Sequence, residues 1–421
     1  MKKKYVRWTL WTIASPFILF VILCILIYLP PIQNFLVDKA AVYASEATGM
    51  NISVGRISLS FPLNLVVTDV DAASPHNDTL LSVRRLQVNV QLLPLLKKQV
   101  EVDGISLQGA TVNSNDLIHG MKLNGTLGEL FISSHGVALD PETAIVNKVL
   151  LKDTDLSLCL NDTAAADTAA SDTTYWKIIL QDIDLQNVSF ALDMPLDSLS
   201  LAASLDNAIL RDGLIDLHKS AYSLQTFRIK NGRVRYDSGK PLAADSLPSG
   251  LDPSHIALTD IGVKLDSLYY EGRNMKAIIS QFVLKERSGV EIVSATGRMV
   301  SNDKVLRVPS LKLETRDSYL ELNAAMDWNA LDFKGEGLMS ARLMADIGKP
   351  DVVRFMGRMD EKFVRQYPSE PLRIRTGIDG DLNKLKLTTL TAELPGALGL
   401  SRGADPSDRQ SAARRGYHLG S

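Results

Sequence analysis

A mainly β chain, with one transmembrane helix at its N-terminus followed by an elongated antiparallel sheet and a few short helices, is the architecture that three observations predict. Apolar residues alternate with polar ones over most of the 421 residues, turn dipeptides punctuate the alternation, and one uncharged apolar run precedes it. Hydrophobic residues make up 45% but aromatics only 6%, so Leu, Val, Ile and Ala carry the apolar content. Two cysteines exclude a disulfide scaffold, and a net charge of −2 offers nucleic acid no basic footprint. Without Lys2, Lys3, Lys4 and Arg7 the balance is 42 basic against 48 acidic residues.

Residues 1–31 read as a cytoplasmic stub and signal anchor. No charge follows Arg7 until Asp38, and Trp8 to Leu29 is an almost unbroken apolar run. At about 1.5 Å per residue this run matches a hydrocarbon core of about 30 Å. Trp8, Trp11, Phe17, Phe20, Leu26 and Tyr28 are its large side chains, with Trp and Tyr near the two headgroup layers. The cationic start holds the N-terminus in the cytoplasm, and Pro30-Pro31 stops the helix on the far side. A cleaved signal peptide is the competing reading. It expects an apolar region of about 7–15 residues beside a small-residue cleavage site. Here the run is longer, and the best candidate, Val42-Tyr43-Ala44, lies well past Pro30. Either way nearly all of the chain lies outside the cytoplasm. Cys24 and Cys159 fall on different sides of that boundary and cannot pair within one chain.

Over 32–48, Ile32, Leu36, Ala40, Tyr43 and Ala47 fall at helical spacing. That is an amphipathic helix lying just beyond the membrane or packed on its own domain. From 49 to 400 the period is two. Ile57 to Val67 alternates with Ser58, Ser60, Pro62 and Asn64, and Leu86, Val88, Val90 and Leu92 alternate with Gln87, Asn89 and Gln91. Leu156 to Leu160, Leu199 and Leu201, Ile261 to Leu265, Leu320 to Trp328 and Leu372 to Ile378 continue it. Asp103-Gly104, Asp212-Gly213, Asn231-Gly232 and Asp379-Gly380 read as turns. A repeat, apolar-x-Leu/Ile-x-turn-x-x-apolar, recurs at Ile105/Leu107/Gly109/Val112, Val149/Leu151/Asp153/Leu156, Ile183/Leu185/Asn187/Phe190 and Phe227/Ile229/Asn231/Val234. Its intervals are irregular, as in a reused multi-strand unit or in the echoes of any meander.

Two segments break the strand pattern. Asn161 to Thr174 is small, polar and acidic, and reads as a mobile loop over 161–174. A helical insert at about 350–367 is marked by Val352, Met356, Met359, Phe363 and Tyr367, bracketed by Pro350 and Pro368. Residues 401–421 lose the alternation and become arginine-rich, the mark of a truncation, a reading-frame artefact or a disordered tail.

No catalytic constellation is legible. The histidines lack metal-ligand spacing, and no nucleophile elbow, P-loop or dinucleotide fingerprint is present, so neither enzyme activity nor a cofactor or metal site is expected. Asp-Ser/Thr-apolar triplets such as Asp78-Thr79-Leu80, Asp197-Ser198-Leu199 and Asp266-Ser267-Leu268 resemble O-glycosylation acceptors, and they also arise by chance in an Asp/Ser/Thr-rich chain.

Four runs resemble a known family. They are Thr48 to Leu59 (TGMNISVGRISL), Leu80-Leu81-Ser82-Val83, Leu86 to Lys98 with its Leu92-Leu93-Pro94 step, and Ile105 to Val112 (ISLQGATV). In this order after an anchor they resemble the opening of AsmA-like proteins of the TamB (translocation and assembly module) branch, most like Bacteroidetes members. Ile378 to Leu387 (IDGDLNKLKL) is similar to that family's recurrent strand-turn-strand element. The resemblance spans most of 1–400 and rests on order rather than on any invariant residue. It implies a periplasmic sheet curled into a taco- or U-shaped apolar groove, anchored in the inner membrane of a Gram-negative bacterium. It further implies phospholipid transport between the two membranes and support of outer-membrane protein assembly with a barrel partner. That partner is met through a C-terminal region that the longer relatives carry and this chain lacks.

Elementary physics points the same way. An apolar face needs a second layer to close it, and the chain offers few helices for so many strands. Leu86, Val88, Val90, Leu107, Leu158, Leu185, Ile229, Val263, Leu313 and Leu322 are the expected liners of a trough for phospholipid acyl chains; an ordinary closed core uses the same residues. The rival from another class is an elongated periplasmic scaffold or glycan-binding β-solenoid, for which Tyr269-Tyr270 is the one aromatic cluster.

Overall fold

The computed structural model describes residues 48–403 except 61–63, 75–77, 92–101, 115–119, 139–141, 162–174, 240–249, 332–336, 358, 382–385 and 395–397, together with 39, 41, 42, 45 and 46. The expected anchor, the loop beyond Asn161 and the tail beyond Gly403 lie outside these residues. Among the described residues no helix is long and apolar enough to cross a membrane. Lys39, Ala41, Val42, Ser45, Glu46 and Thr48 are helical, inside the stretch whose spacing predicts a helix.

The protein is mainly β and divides into two compact units, residues 1–137 with 146–158, and residues 138–145 with 159–421. In the first, β1 (Asn51–Ser60), β2 (Asn64–Ala73), β3 (Thr79–Val90), β4 (Val102–Asn113) and β5 (Met121–Ala138) pair antiparallel in chain order. Most of β6 (Thr143–Leu160) belongs to the same unit. The alternation from Ile57 to Val67, which reads as one run, is therefore split between β1 and β2, whose residues Leu59 and Leu65 face each other across the hairpin.

In the second unit β7 (Lys177–Met194) pairs with β8 (Leu199–Asp216). The short β9 (Ala221–Leu224) and β10 (Thr226–Ser238) both pair with β8 and with β11 (His255–Glu271). β12 (Asn274–Glu286), β13 (Glu291–Ser301), β14 (Val305–Thr315), β15 (Tyr319–Asp327) and β16 (Met339–Ile347) follow in antiparallel order. β17 (Leu372–Gly380), β18 (Lys386–Leu394) and β19 (Leu398–Gly403) complete it. The last strand thus carries Ser401, Arg402 and Gly403, which the loss of alternation assigns to a tail.

Two expectations need correction. The helical insert is two short helices, α1 (Lys349–Met356) and α2 (Glu361–Gln366), because Gly357 ends the first with φ 70°. More consequentially, the turn dipeptides are not turns. Asp103-Gly104, Asp212-Gly213 and Asn231-Gly232 lie within β4, β8 and β10, and Asp379-Gly380 ends β17.

The repeat has the same explanation. Its turn residues Gly109, Asp153, Asn187 and Asn231 sit inside strands with φ of 62°, 50°, 51° and 53°. Asp69, Asp212 and Asp260 do likewise, at 55°, 52° and 53°. A left-handed residue rotates the strand and resets its alternation, so apolar residues on either side of it lie three apart instead of two. Asp, Asn and Gly tolerate that conformation best.

In the first unit these positions form a transverse line. The pairing is interrupted where Gly55 faces Asp69, Asp69 faces Arg84, Arg84 faces Gly109 and Gly109 faces Gly128, and register is unchanged on either side. A Cβ at Gly109 would touch the Arg84 side chain at 3.2 Å, and one at Gly128 would crowd the Asp153 Cβ at 2.8 Å. Strands without a left-handed residue at this level keep the three-residue step as well, at Val54/Ile57, Val83/Leu86 and Leu127/Leu130.

Among the described residues the buried apolar side chains are mostly alanines, including Ala72, Ala110, Ala208, Ala295 and Ala345, and the largest fully enclosed side chain is Asp351. Among the described residues the extensive contacts between elements join strand neighbours, or a strand and an adjoining 3-10 turn.

Candidate functional site

Antiparallel partners point to the same side of a sheet, so register converts single-strand alternation into rows. In the first unit one row runs Ile57, Val67, Leu86, Leu107 and Leu130 across β1 to β5. The neighbouring row runs Leu59, Leu65, Val88, Ile105 and Ile132. Every position in both is aliphatic. Val90 extends the face toward Val102 after a register shift. Leu158, in β6, is half-buried.

The second unit repeats the arrangement on a larger scale. Leu185 faces Ala208, Ala208 faces Ile229, and Ile229 faces Val263. Val263 meets Phe282, which meets Ala295, Leu313 and Leu320 in turn. The row ends with Ala345, Ile374 and Ala392. Eleven strands are crossed without a polar residue. A second row includes Phe227, Leu265, Ile279, Leu311, Leu322 and Leu343. Four of the five sequence-predicted liners in this unit share the first row, and Leu322 lies in the second.

All ten predicted liners are half-buried. Ala208, Ala295 and Ala345 are buried between taller neighbours, while the large aliphatic residues themselves keep exposed surface. This is the profile of an apolar face without a second layer; in a closed core the largest side chains are the most buried. Sequence reasoning missed Ala208, Ala295 and Ala345 because small residues carry no strand signal of their own. It also missed Phe227 and Phe282 as liners, since only pairing register places them.

The opposite face is polar. Thr296, Lys312 and Glu321 form one of its rows, continued through the exposed Met344 to Arg375 and Thr391. Arg375 reaches Asp346 at 2.8 Å, and that carboxylate raises the guanidinium's pKa. Asp260 likewise raises Lys285, at 2.9 Å. These are exposed pairs of small energetic weight.

α1 is held by a buried carboxylate. Asp351, 1% exposed, accepts hydrogen bonds from the Thr315 hydroxyl, from Ser318 Oγ at 2.6 Å and from Arg354 Nη1 at 3.0 Å. Arg354 also pairs with Asp317 at 2.5 Å, which is the main cause of its raised pKa. Both carboxylate oxygens are engaged internally, so the cluster is an anchor for the helix.

Among the described residues no group of His, Cys, Asp and Glu is arranged to hold a metal ion. Of the Asp-Ser/Thr triplets, Thr79 and Ser198 are exposed whereas Ser267 is buried. Tyr270 faces Tyr222 across β11 and β9, ring centroids 6.1 Å apart, both rings about 40% exposed. In comparisons with known proteins, neither a family model nor a curated sequence matches the chain.

Proposed function

We propose that this chain is an AsmA/TamB-like protein, anchored in the inner membrane of a Gram-negative bacterium with its bulk in the periplasm. Its apolar β-surface forms a curled groove that conducts phospholipid between the inner and outer membranes and supports outer-membrane biogenesis and protein assembly. The observation that carries this reading is the eleven-strand row from Leu185 to Ala392, apolar throughout, whose large side chains keep exposed surface. Covering such a surface with an acyl chain is favourable by about 0.8 kcal/mol per buried CH₂. Mostly aliphatic walls, with Phe227 and Phe282 as their aromatic members, accept many chains and select none. The anchor at 1–31, the amphipathic helix at 32–48 and an outer-membrane barrel partner belong to the same proposal. Native mass spectrometry of detergent-extracted protein tests it. Co-purifying phospholipid is expected, and a folded Leu185→Glu variant that carries and transfers lipid as well as the parent would sink the conduit reading.

A scaffold or glycan-binding module is the second reading, favoured by the exposed Tyr222–Tyr270 pair. It predicts folded protein free of lipid and retained on a polysaccharide matrix.

A further inference from the structure

One end of the β12–β17 sheet carries two exposed cations, Arg273 and Lys304, on hairpin tips beside an apolar notch. Trp328 follows the last residue of β15, and its indole N–H donates to the Asn302 carbonyl at 2.8 Å. Its backbone N–H donates to the Lys304 carbonyl, also at 2.8 Å, so the ring is clipped to the β13–β14 hairpin. From the β11–β12 hairpin, Arg273 lies over the same ring, 5.6 Å from its centroid. Arg273 and Lys304 are both exposed at hairpin tips, and neither is in an ion pair among the described residues. Glu271 and Asp303 share those tips, but Glu271 is engaged by the Tyr269 hydroxyl.

Immediately inside this rim is an apolar cavity of about 170 Å³. Ala324 and Ala341 face each other at its floor, and Leu306, Met326, Met339 and Ile378 stand around them. The notch belongs to the apolar face, because Leu322, Ala324 and Met326 alternate along β15 without a register shift. Lys304 is two residues from Leu306, and Trp328 is two from Met326.

We infer that this end is a seat for one anionic lipid, with a stretch of acyl chain in the alanine-floored notch and its phosphate between Arg273 and Lys304 beside Trp328. The inference rests on the lipid-carrying reading and adds to it a headgroup site with a defined charge. A half-buried indole with Arg273 over its ring, and the exposed Lys304 on the hairpin it is clipped to, suits the layer where hydrocarbon gives way to phosphate.

The test is equilibrium binding of the detergent-solubilised full chain to phosphatidylglycerol, to diacylglycerol of the same chain length, and to inorganic phosphate. Phosphatidylglycerol is expected to bind about tenfold or more tightly than diacylglycerol, as two charge-assisted contacts imply. The R273Q/K304Q variant should lose that preference while keeping its diacylglycerol affinity. Ala324→Phe, which fills the notch, should weaken both lipids. Equal affinity of the parent for the two lipids, or a preference that survives R273Q/K304Q, overturns the headgroup site and leaves the conduit reading standing. Binding of neither lipid overturns both. Inorganic phosphate binding as tightly as phosphatidylglycerol would make this an anion site without chain recognition, which also overturns the inference. The surface variant carries the test even where Ala324→Phe fails to fold.

Discussion

Asn231 donates from its side-chain amide to the Asp206 carboxylate at 2.8 Å while its own backbone is left-handed, φ 53°, in the interior of β10. Asp206 of β8 also stands opposite Asn187 of β7, itself left-handed at 51°. Three neighbouring strands thus reset their alternation at one level, and the apolar rows continue past it on one face.

Substitution at Asn231 should separate backbone from side-chain effects. Asn231→Val forces a β-branched residue into the left-handed region and removes the amide, and is expected to cost about 2 kcal/mol. Asn231→Gly relieves the backbone but loses the hydrogen bond, so its net change should stay below about 1 kcal/mol. Urea unfolding followed by tryptophan fluorescence reads both; equal losses would show that the conformation carries no strain.

Gly128 is where β5 touches the left-handed Asp153 of β6. A methyl there would lie 2.8 Å from the Asp153 Cβ and 2.9 Å from its carbonyl oxygen. Gly128→Ala should destabilise the first unit by about 1–3 kcal/mol. Hydrogen exchange should show the loss in β4 to β6, with the strands of the second unit unchanged.

Asp351 should behave as a structural anion. Asp351→Ala leaves Thr315 and Ser318 without their shared acceptor and deprives Arg354 of one carboxylate. The expected cost is about 3 kcal/mol, confined to release of α1. Faster amide exchange across 349–357, with the central strands still protected, is the outcome to look for.

Acid should loosen the start of β11. His255 first, then the Ser254 N–H, hold the Asp252 carboxyl below its ordinary range. A depressed carboxyl contributes stability above its unfolded pKa and loses it as pH falls through the folded value. Amide exchange at His255, whose N–H bonds the Asp252 carbonyl at 3.0 Å, should therefore rise relative to its intrinsic rate on acidification below about pH 4 and stay flat near neutrality. A rise beginning near neutrality would assign the effect to the imidazole instead.

The alternation of Leu86, Val88 and Val90, or of Leu320 and Leu322, was enough to read strands and one apolar face, because side-chain direction has period two. Turn chemistry misled at Asp212-Gly213 and Asn231-Gly232. The φ preference that makes a hairpin also makes an in-strand reset, and only the partner strand distinguishes them. The repeat's two-residue gap before its last apolar position already encoded that reset. Ala295 and Ala345 were illegible as members of the face because their place depends on β12 to β17 pairing in one register. The headgroup cations were illegible for a similar reason: Arg273 and Trp328 are distant in sequence and meet only through the Asn302–Lys304 hairpin.

The most direct measurement of the central claim is photo-crosslinking from the two faces of one strand. A benzophenone amino acid placed at Ile229, on the apolar row, should capture phospholipid in cells. The same probe at Arg228, an exposed residue one position away, should not. Lipid adducts at Ile229 alone are the predicted result; equal labelling at both positions, or none at Ile229 in folded protein, would contradict a lipid-carrying apolar face.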